Sequence, residues 1–370
     1  MTIFRRKGSM KILHIVRQFA PSIGGLEDYV LNLATEQKGM GHEVVIYTLN
    51  SNFQTGERLP AAATIKDLPV KRFSWLGSKR YPISRFPLNS LNEFDIVHVH
   101  AVDFFIDYLS LLKRLGLLKS KLVLTTHGGF FHTPQQQALK KLFFKTITRF
   151  SLKPVDVVFT ISSNDRQLFE QVRAGCQLIE NGVAYQKFGQ ANQAADSNDM
   201  VYLGRLSSNK RLDWLIEAFS RIDGTDSKLR IIGNRATGDA GQLEKLVTAL
   251  NAEDRVELLF NIPDEEILHH IASSRFVVSA SEYEGFGLSV IELMSYGLVP
   301  ILSSAPDSFK GFVQQSGVGT LFSYEQQDFE KGYLTLIREW SEEEKNKAKT
   351  FAERFSWKSV ARSIVHGYAN

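Results

Sequence analysis

Ten short apolar runs punctuate the chain, and nothing else in it limits the possible folds so strongly. Residues 11–16, 44–48, 95–100, 122–126 and 155–160 form such runs in the first half. Residues 200–203, 229–232, 256–260, 276–279 and 299–303 repeat the pattern in the second, each followed by Gly, Asn or Ser and then a helical periodicity. Strands without alternation of polar and apolar residues are buried on both faces, and their regular exchange with helices builds parallel sheets joined by crossovers. The expected architecture is α/β: two doubly wound, Rossmann-like domains facing one another across a cleft. Residues 1–9 read as an extension, 10–186 and 200–355 as the two domains, and 187–199 as a linker, being rich in Ala, Gln, Asn and Asp without apolar periodicity. In such sheets ligands bind beyond the carboxyl ends of the strands, so the residues just after each strand carry the functional information.

The net charge of +4 conceals a split. Residues 1–180 carry 24 Lys and Arg against 14 Asp and Glu, whereas residues 181–370 carry 20 against 26. A basic half favours an anionic partner, either nucleic acid, a phosphate-bearing substrate or an acidic membrane face. Cys176 is the only cysteine, which excludes an intramolecular disulfide and favours a cytosolic setting. No run approaches the ~18–20 apolar residues that a spanning helix needs. The basic start MTIFRRKGS lacks the apolar stretch of a secretory signal.

After the first strand, Gly24 and Gly25 open a helix. Such a pair either makes an ordinary tight turn or lets backbone N–H groups approach an anion at the helix N-terminus. No acidic residue closes the strand near Thr48 to hold a ribose, which weighs against a nicotinamide or flavin enzyme. After the fourth strand comes His127-Gly128-Gly129; His127 is either a hydrogen-bonded turn residue or a group presented to the cleft through its ring or carbonyl. Ser162 closes the next strand and can donate its hydroxyl to a substrate oxygen.

The second half is more informative. Gly204-Arg205-Leu206 runs through two serines and Asn209 to Lys210-Arg211, placing cations after a strand, and an Arg/Lys pair suits a diphosphate. Exposed surface cations would look the same. Then comes Ser281-Glu282-Tyr283-Glu284-Gly285-Phe286-Gly287-Leu288, with Glu292 eight residues beyond Glu284 in the following helix. The two carboxylates can accept from sugar or ribose hydroxyls, while the free N–H groups of Phe286 to Leu288 face a phosphate.

GRLSSNKRLDWLIEAF and EYEGFGLSVIELMSYGLVPILSS together resemble the retaining family-4 glycosyltransferases of the GT-B fold, including their pair of glutamates at Glu284 and Glu292. The Gly24-Gly25 loop, DIVHVH at 95–100, IENGV at 179–183 and the closing FSWKSVARSIVHGY are also similar, so the likeness spans essentially the whole chain. The segment THGGFFHT is similar to bacterial α-mannosyltransferases that extend a polyprenyl-diphosphate-linked glycan from GDP-mannose, in surface polysaccharide assembly. The resemblance implies an acceptor-binding first domain, a sugar-nucleotide-binding second domain and a helix at 356–370 crossing back to the first. It also implies that Arg205 and Lys210 neutralise the donor diphosphate, with Gly24 and Gly25 adding N–H groups. Glu292 would hold the ribose, Glu284 with the Gly285–Leu288 backbone the sugar hydroxyls, and His127 would lie beside the sugar ring. Gly233-Asn234-Arg235 departs from the family pattern, which has a second glycine two positions on.

The reaction must stabilise an oxocarbenium-like sugar and a departing nucleoside diphosphate. Two cations and a helix N-terminus can do the latter, and the chain has no D-x-D triplet to chelate a metal, so no metal or other cofactor is expected. Retention is implied by the family, with Glu284 binding and orienting rather than attacking. Competing readings are a UDP-sugar-dependent relative, a sugar-nucleotide epimerase and a nucleic-acid-binding protein. For the last there is neither a recognition-helix signature nor an aromatic stacking platform, and no nucleic-acid partner is expected.

Residues 134–153 read as one helix, with Leu139, Leu142, Phe143, Ile147 and Phe150 in one stripe and Phe144 off it. Lys140, Lys141, Lys145, Arg149 and Lys153 surround the stripe. This is either a core-packed helix with a solvated basic back, or a basic face resting on anionic headgroups with Phe144 dipping in. The second reading places the protein peripherally on the inner face of the cytoplasmic membrane, beside a lipid-carried acceptor.

Overall fold

A computed structural model describes residues 8–128, 142–190 and 197–369. The chain divides into two units, Met1–Gly182 with Trp357–Asn370, and Val183–Ser356. The division falls at 182/183 and 356/357 rather than in the 187–199 stretch, of which 191–196 lie outside the described residues. The physical reason is hydrogen bonding: the Gln186 N–H donates to Ser295 Oγ and the Phe188 N–H to the Tyr296 hydroxyl, at 3.1 and 2.7 Å, tying this stretch to the second unit.

The first unit contains strands β1 (Lys11–Ile15), β2 (Glu43–Leu49), β3 (Ala62–Ile65), β4 (Leu68–Phe73), β5 (Leu76–Ser78), β6 (Tyr81–Ile83), β7 (Ile96–His100), β8 (Lys121–Thr125), β9 (Val157–Thr160) and β10 (Gln177–Leu178). Eight form one sheet in the order β10-β9-β8-β7-β1-β2-β4-β3, parallel except for β3 against β4, and β5 and β6 make a separate hairpin. The five expected strands are its centre. The extra strand β4, between β2 and the edge strand β3, alternates buried Leu68, Val70 and Arg72 with exposed Pro69 and Lys71, a half-buried pattern quite unlike the continuous runs beside it.

Helices Gly25–Gly39 and Trp357–Ala369 cover one face of this sheet, where Tyr29, Val30 and Leu33 share a core with Val360, Ile364 and Tyr368. Helix Phe104–Arg114, whose first turn is capped by Asp103 accepting from the Phe105 N–H at 3.0 Å, packs on the other face with Leu152 and Phe169.

The apolar stripe expected along 134–153 is corrected here; its residues 134–141, with Leu139, Lys140 and Lys141, lie outside the described residues. Phe144–Thr148 is a π-helical turn that continues into the short helix Arg149–Leu152. Phe144, Thr148, Ser151 and Leu152 are the buried residues, whereas Leu142, Ile147 and Phe150 are exposed. Phe144 meets Phe169 edge-on at 5.3 Å, so it anchors the segment inward and does not dip outward. The inward face is Phe144 and Leu152 with the smaller Thr148 and Ser151 between them, which leaves the bulkier stripe outside.

The second unit has β11 (Met200–Leu203), β12 (Leu229–Gly233), β13 (Val256–Phe260), β14 (Phe276–Ser279), β15 (Val299–Ser303) and β16 (Thr320–Phe322) in one parallel sheet ordered β13-β12-β11-β14-β15-β16. Separate apolar clusters cover its two faces, one built around Leu215 and Phe219, the other around Ile291 and Met294. In both sheets the chain reverses its direction of growth next to the first strand, between β1 and β7 and between β11 and β14. Each unit therefore has one switch point, where adjoining loops diverge and leave a crevice.

Candidate active site

At the switch point of the first unit the strands carry histidines where apolar residues would be expected. His98 and His100 stand two apart on β7, so they share a face, and His14 on β1 is in register with His98. All three are fully buried. His14 Nε2 lies 2.7 Å from Gln37 Oε1 and its Nδ1 lies 2.9 Å from His100 Nε2. His100 Nδ1 in turn lies 3.1 Å from His127 Nε2. His98 bridges the Tyr368 hydroxyl and Thr125 Oγ1, at 2.7 Å each. Burial lowers the pKa of His14 to about 4 and of His127 to about 3, and holds His98 and His100 well below the usual imidazole value. The four rings are thus neutral at pH 7.

Nitrogens of His14, His98 and His100 lie within 4.8 Å of one another, a spacing that a metal ion can bridge. Every ring nitrogen of the three already meets a hydrogen-bond partner, so ligation would require breaking that network.

His127 itself follows β8 in a left-handed conformation, with φ 53°. Tyr29 meets its ring edge-on, with centroids 4.5 Å apart at 88°. The half-buried imidazole is thereby held at the carboxyl end of the sheet. Gly129 and the rest of the segment through 141 lie outside the described residues. Ser162 is the N-cap of helix Ser163–Glu170, its Oγ accepting from the Asp165 N–H at 3.2 Å, while its own hydroxyl hydrogen remains available. Gly24 is the extended N-cap of helix Gly25–Gly39, and nothing lies within 4 Å of the place where a Cβ on Gly25 would stand.

At the switch point of the second unit the loops after β11 and β14 are joined by charge. Lys210, buried, pairs with Glu284 Oε1, which also accepts from Ser281 Oγ at 3.0 Å. Arg211 pairs with Glu282 at 2.7 Å, and the Asn209 carbonyl accepts from the Glu282 N–H at 2.9 Å. The three cations expected to act together are therefore distinct. Lys210 and Arg211 face carboxylates, and Arg205 alone is exposed without an ion pair among the described residues. The Tyr202 hydroxyl donates to the Arg205 carbonyl at 2.6 Å and fixes that turn.

Phe286 is not a surface group: its ring is buried against Phe312 and Phe355. That anchor leaves the adjoining backbone outermost, with Gly285 and Leu288 exposed. Gly287 precedes helix Leu288–Met294 at φ 102°, and a Cβ there would stand 2.9 Å from Phe309, so conformation and space both require glycine. Glu292 lies in this helix, half-buried. Burial raises its pKa, opposed by Lys187.

The departure at 233–235 also has a structural answer. Asn234 Oδ1 accepts from the Ala236 N–H at 2.8 Å, Arg235 pairs with Glu244, and close approach passes to Gly238, where a Cβ would fall 1.9 Å from the Leu206 carbonyl.

The sequence reading missed His14, His98, His100, Gln37 and Tyr368. The available signal was H-x-H at the end of a continuous apolar strand, because period-two spacing puts both rings on one buried face.

Two Rossmann-like units, each gathering polar side chains at its carboxyl-end switch point, are the hallmark of a GT-B glycosyltransferase. The family description "Glycosyltransferase Family 4" matches residues 23–187, and "Glycosyl transferases group 1" matches residues 185–354. The GDP-mannose:cellobiosyl-diphosphopolyprenol alpha-mannosyltransferase of Xanthomonas oryzae pv. oryzae is 34% identical over 97% of this chain and 96% of its own. The enzyme of the same name from Komagataeibacter xylinus is 33% identical over 97% and 93%. A solved glycosyltransferase from Rickettsia africae, 17% identical, has a TM-score of 0.68 over 97% of this chain and 98% of that one, a likeness of fold alone. The chain belongs to the family 4, group 1 glycosyltransferases, and it is a hexosyltransferase. No helix among the described residues is long and apolar enough to cross a membrane.

Proposed function

We propose that the chain transfers mannose from GDP-mannose, with retention of configuration, to a polyprenyl-diphosphate-linked oligosaccharide in the assembly of a bacterial surface polysaccharide. The observation that carries this reading is the similarity to the two α-mannosyltransferases over nearly the full length of both partners. Arg205 and Lys210 face the donor diphosphate, Lys210 keeping two N–H donors beyond its pair with Glu284. Glu292 accepts from the ribose, and Glu284 Oε2 with the Gly285–Leu288 backbone holds the sugar hydroxyls. In the first unit His127 is the contact for a sugar ring, Gly24 and Gly25 offer N–H groups to a phosphate, and Ser162 offers its hydroxyl to a substrate oxygen. The departing phosphate accepts the proton of the attacking hydroxyl, and turnover needs no divalent metal.

Incubating the protein with GDP-mannose and a polyprenyl-diphosphate-linked disaccharide, in EDTA, tests the reading. Mannosylated lipid and free GDP are expected; transfer from UDP-sugars but not from GDP-mannose would sink it. Donor incubated alone and followed by NMR separates transfer from epimerisation.

The lipid acceptor also calls for a membrane surface, and the exposed stripe supplies one. Leu142, Ile147 and Phe150 are exposed, as are Leu111 of helix Phe104–Arg114 and Leu115 just after it, and the Arg114 guanidinium stacks 3.7 Å above the Phe150 ring. Lys145, Arg149 and Lys153 surround them. Apolar side chains that insert, flanked by cations at about 1 kcal/mol each near anionic lipid, fit peripheral binding on the cytoplasmic leaflet. Sedimentation with phosphatidylglycerol vesicles is expected to lose a Lys145/Arg149/Lys153→Glu variant. Equal binding by variant and parent would refute this face.

A further inference from the structure

The hydrogen-bond chain behind His127 has a direction. Gln37 is fully buried, and its Nε2 donates to the Tyr368 hydroxyl at 3.0 Å, which turns Oε1 toward His14 Nε2 at 2.7 Å. With the Gln37 amide assigned in this orientation its carbonyl oxygen only accepts, so His14 carries its proton on Nε2. A neutral imidazole then has a bare Nδ1, and the donor across the 2.9 Å contact must be His100 Nε2. His100 Nδ1 is bare in turn, and the donor across the 3.1 Å contact must be His127 Nε2. Tyr368, having accepted from Gln37, donates to His98 Nδ1, and His98 donates from Nε2 to Thr125 Oγ1. Each contact thus has one donor and one acceptor. A second proton on His14 or His100 would set N–H against N–H, in keeping with neutral rings at both.

We propose that Gln37, His14 and His100 act as positioning residues that fix the tautomer of His127, with the proton on Nε2 and a bare Nδ1 offered to a hydroxyl of the transferred sugar. The left-handed backbone at His127 and the edge of Tyr29 hold the ring, and its Nδ1 has no partner among the described residues. A histidine oriented from behind in this way accepts a hydrogen bond without being able to donate one from the same atom. This discriminates for a hydroxyl donor and against a substrate oxygen that has only lone pairs. The inference rests on the reading of His127 as a sugar contact, but the tautomer itself does not.

Long-range proton–nitrogen correlation spectra of the full chain labelled with 15N-histidine, at pH 7.5, decide the tautomer. His127 is assigned by the signal lost in His127→Phe. The expected pattern is a protonated Nε2 with a bare Nδ1. A protonated Nδ1, or an imidazolium, would overturn the proposal. Gln37→Met removes the anchor and should give a mixed tautomer at His127, with kcat about tenfold lower, one neutral hydrogen bond's worth, and the donor KM within about twofold. An unchanged His127 spectrum in that variant would also overturn it. Should Gln37→Met fail to fold, the parent spectrum still distinguishes the two tautomers. Unaltered kinetics in His127→Ala would instead reject the sugar contact, while the spectrum stands or falls separately.

Discussion

The two switch points occupy the same place in the same topology, yet they differ in what the strands themselves contribute. On β1 and β7 the groups are buried neutral rings, hydrogen-bonded to one another and to Gln37. At β11 and β14 they are formal charges on loops, paired across the gap by Lys210 with Glu284 and Arg211 with Glu282. The charge of each unit runs the other way. Lys358 and Arg362, which come with the terminal helix, take the first unit from +10 to +12 and the second from −6 to −8. The strongly basic unit buries neutral rings at its centre and holds a single loop ion pair beside them, Arg17 with Asp103, whereas the acidic unit keeps its cations at its centre. Net charge therefore describes surfaces here and does not locate the site.

Acid separates the two regions most sharply. His14, His98 and His100 are neutral when folded but protonate near pH 6.5 when unfolded, so the stability they hold above that pH is lost as pH falls toward their depressed folded values. For His14 and His127, whose folded values lie near 4 and 3, the loss at pH 5 is about 2 kcal/mol each, and His98 and His100 add to it in the same direction. Asp103 works in the opposite sense. Burial raises its pKa to about 7 despite Arg17 beside it, so it regains stability as pH falls through 7, roughly 3 kcal/mol by pH 5. The four histidines outweigh it, and a net fall in the stability of the first unit is expected. Urea unfolding at pH 7.5 and 5 measures it, with Trp75 and Trp357 reporting on the first unit and Trp214 and Trp340 on the second, each pair isolated by Trp→Phe changes in the other. Equal acid sensitivity of the two reporters would erase the contrast.

Removing a charge should do to the second region what acid does to the first. Lys210→Met leaves Glu284 half-buried without its cation and takes one charge from the diphosphate. A loss of about 3 kcal/mol in transition-state binding is expected, on the order of a hundredfold in kcat/KM. The same assay on Lys210→Met/Glu284→Gln should recover part of the loss, since the stranded carboxylate is gone. Failure to recover would mean that the pair does not act as a unit.

The contrast between the regions also explains what the sequence could reveal. Continuous apolar runs mark central parallel strands, and β11, β13, β14 and β15 begin and end where those runs do. Loop motifs such as Arg205 to Lys210 and Glu284 to Glu292 are contiguous in the chain, so they stand out in the order of residues alone. The histidine network draws on β1, helix Gly25–Gly39, β7, the turn after β8 and Tyr368 in the last helix. Each contributes one or two residues, and only the tertiary fold assembles them. The segment at 142–152 failed for a different reason. Its buried face includes the polar Thr148 and Ser151 beside Phe144 and Leu152, a face that hydrophobic periodicity does not select.

Two smaller effects sharpen the picture of the charged region. Glu292→Gln keeps the shape of the ribose contact but replaces a charged acceptor with a neutral one, so the donor KM should rise about tenfold, roughly 1.4 kcal/mol, with kcat little changed. A fall in kcat with KM unaltered would place Glu292 nearer the reacting centre.

Arg205 should give the smallest change and the most distinctive one. It is exposed, so its attraction for a diphosphate is screened by salt and is worth about 1 kcal/mol or less, whereas Lys210 is buried and screened much less. In the parent protein the donor KM should rise between about 50 and about 500 mM NaCl, a range over which the Debye length falls roughly threefold. Arg205→Ala should start with a KM up to about fivefold higher and show a flatter dependence on salt. If Arg205→Ala keeps the full salt response, then the screened cation at this site is another residue, and Arg205 belongs to the solvated surface.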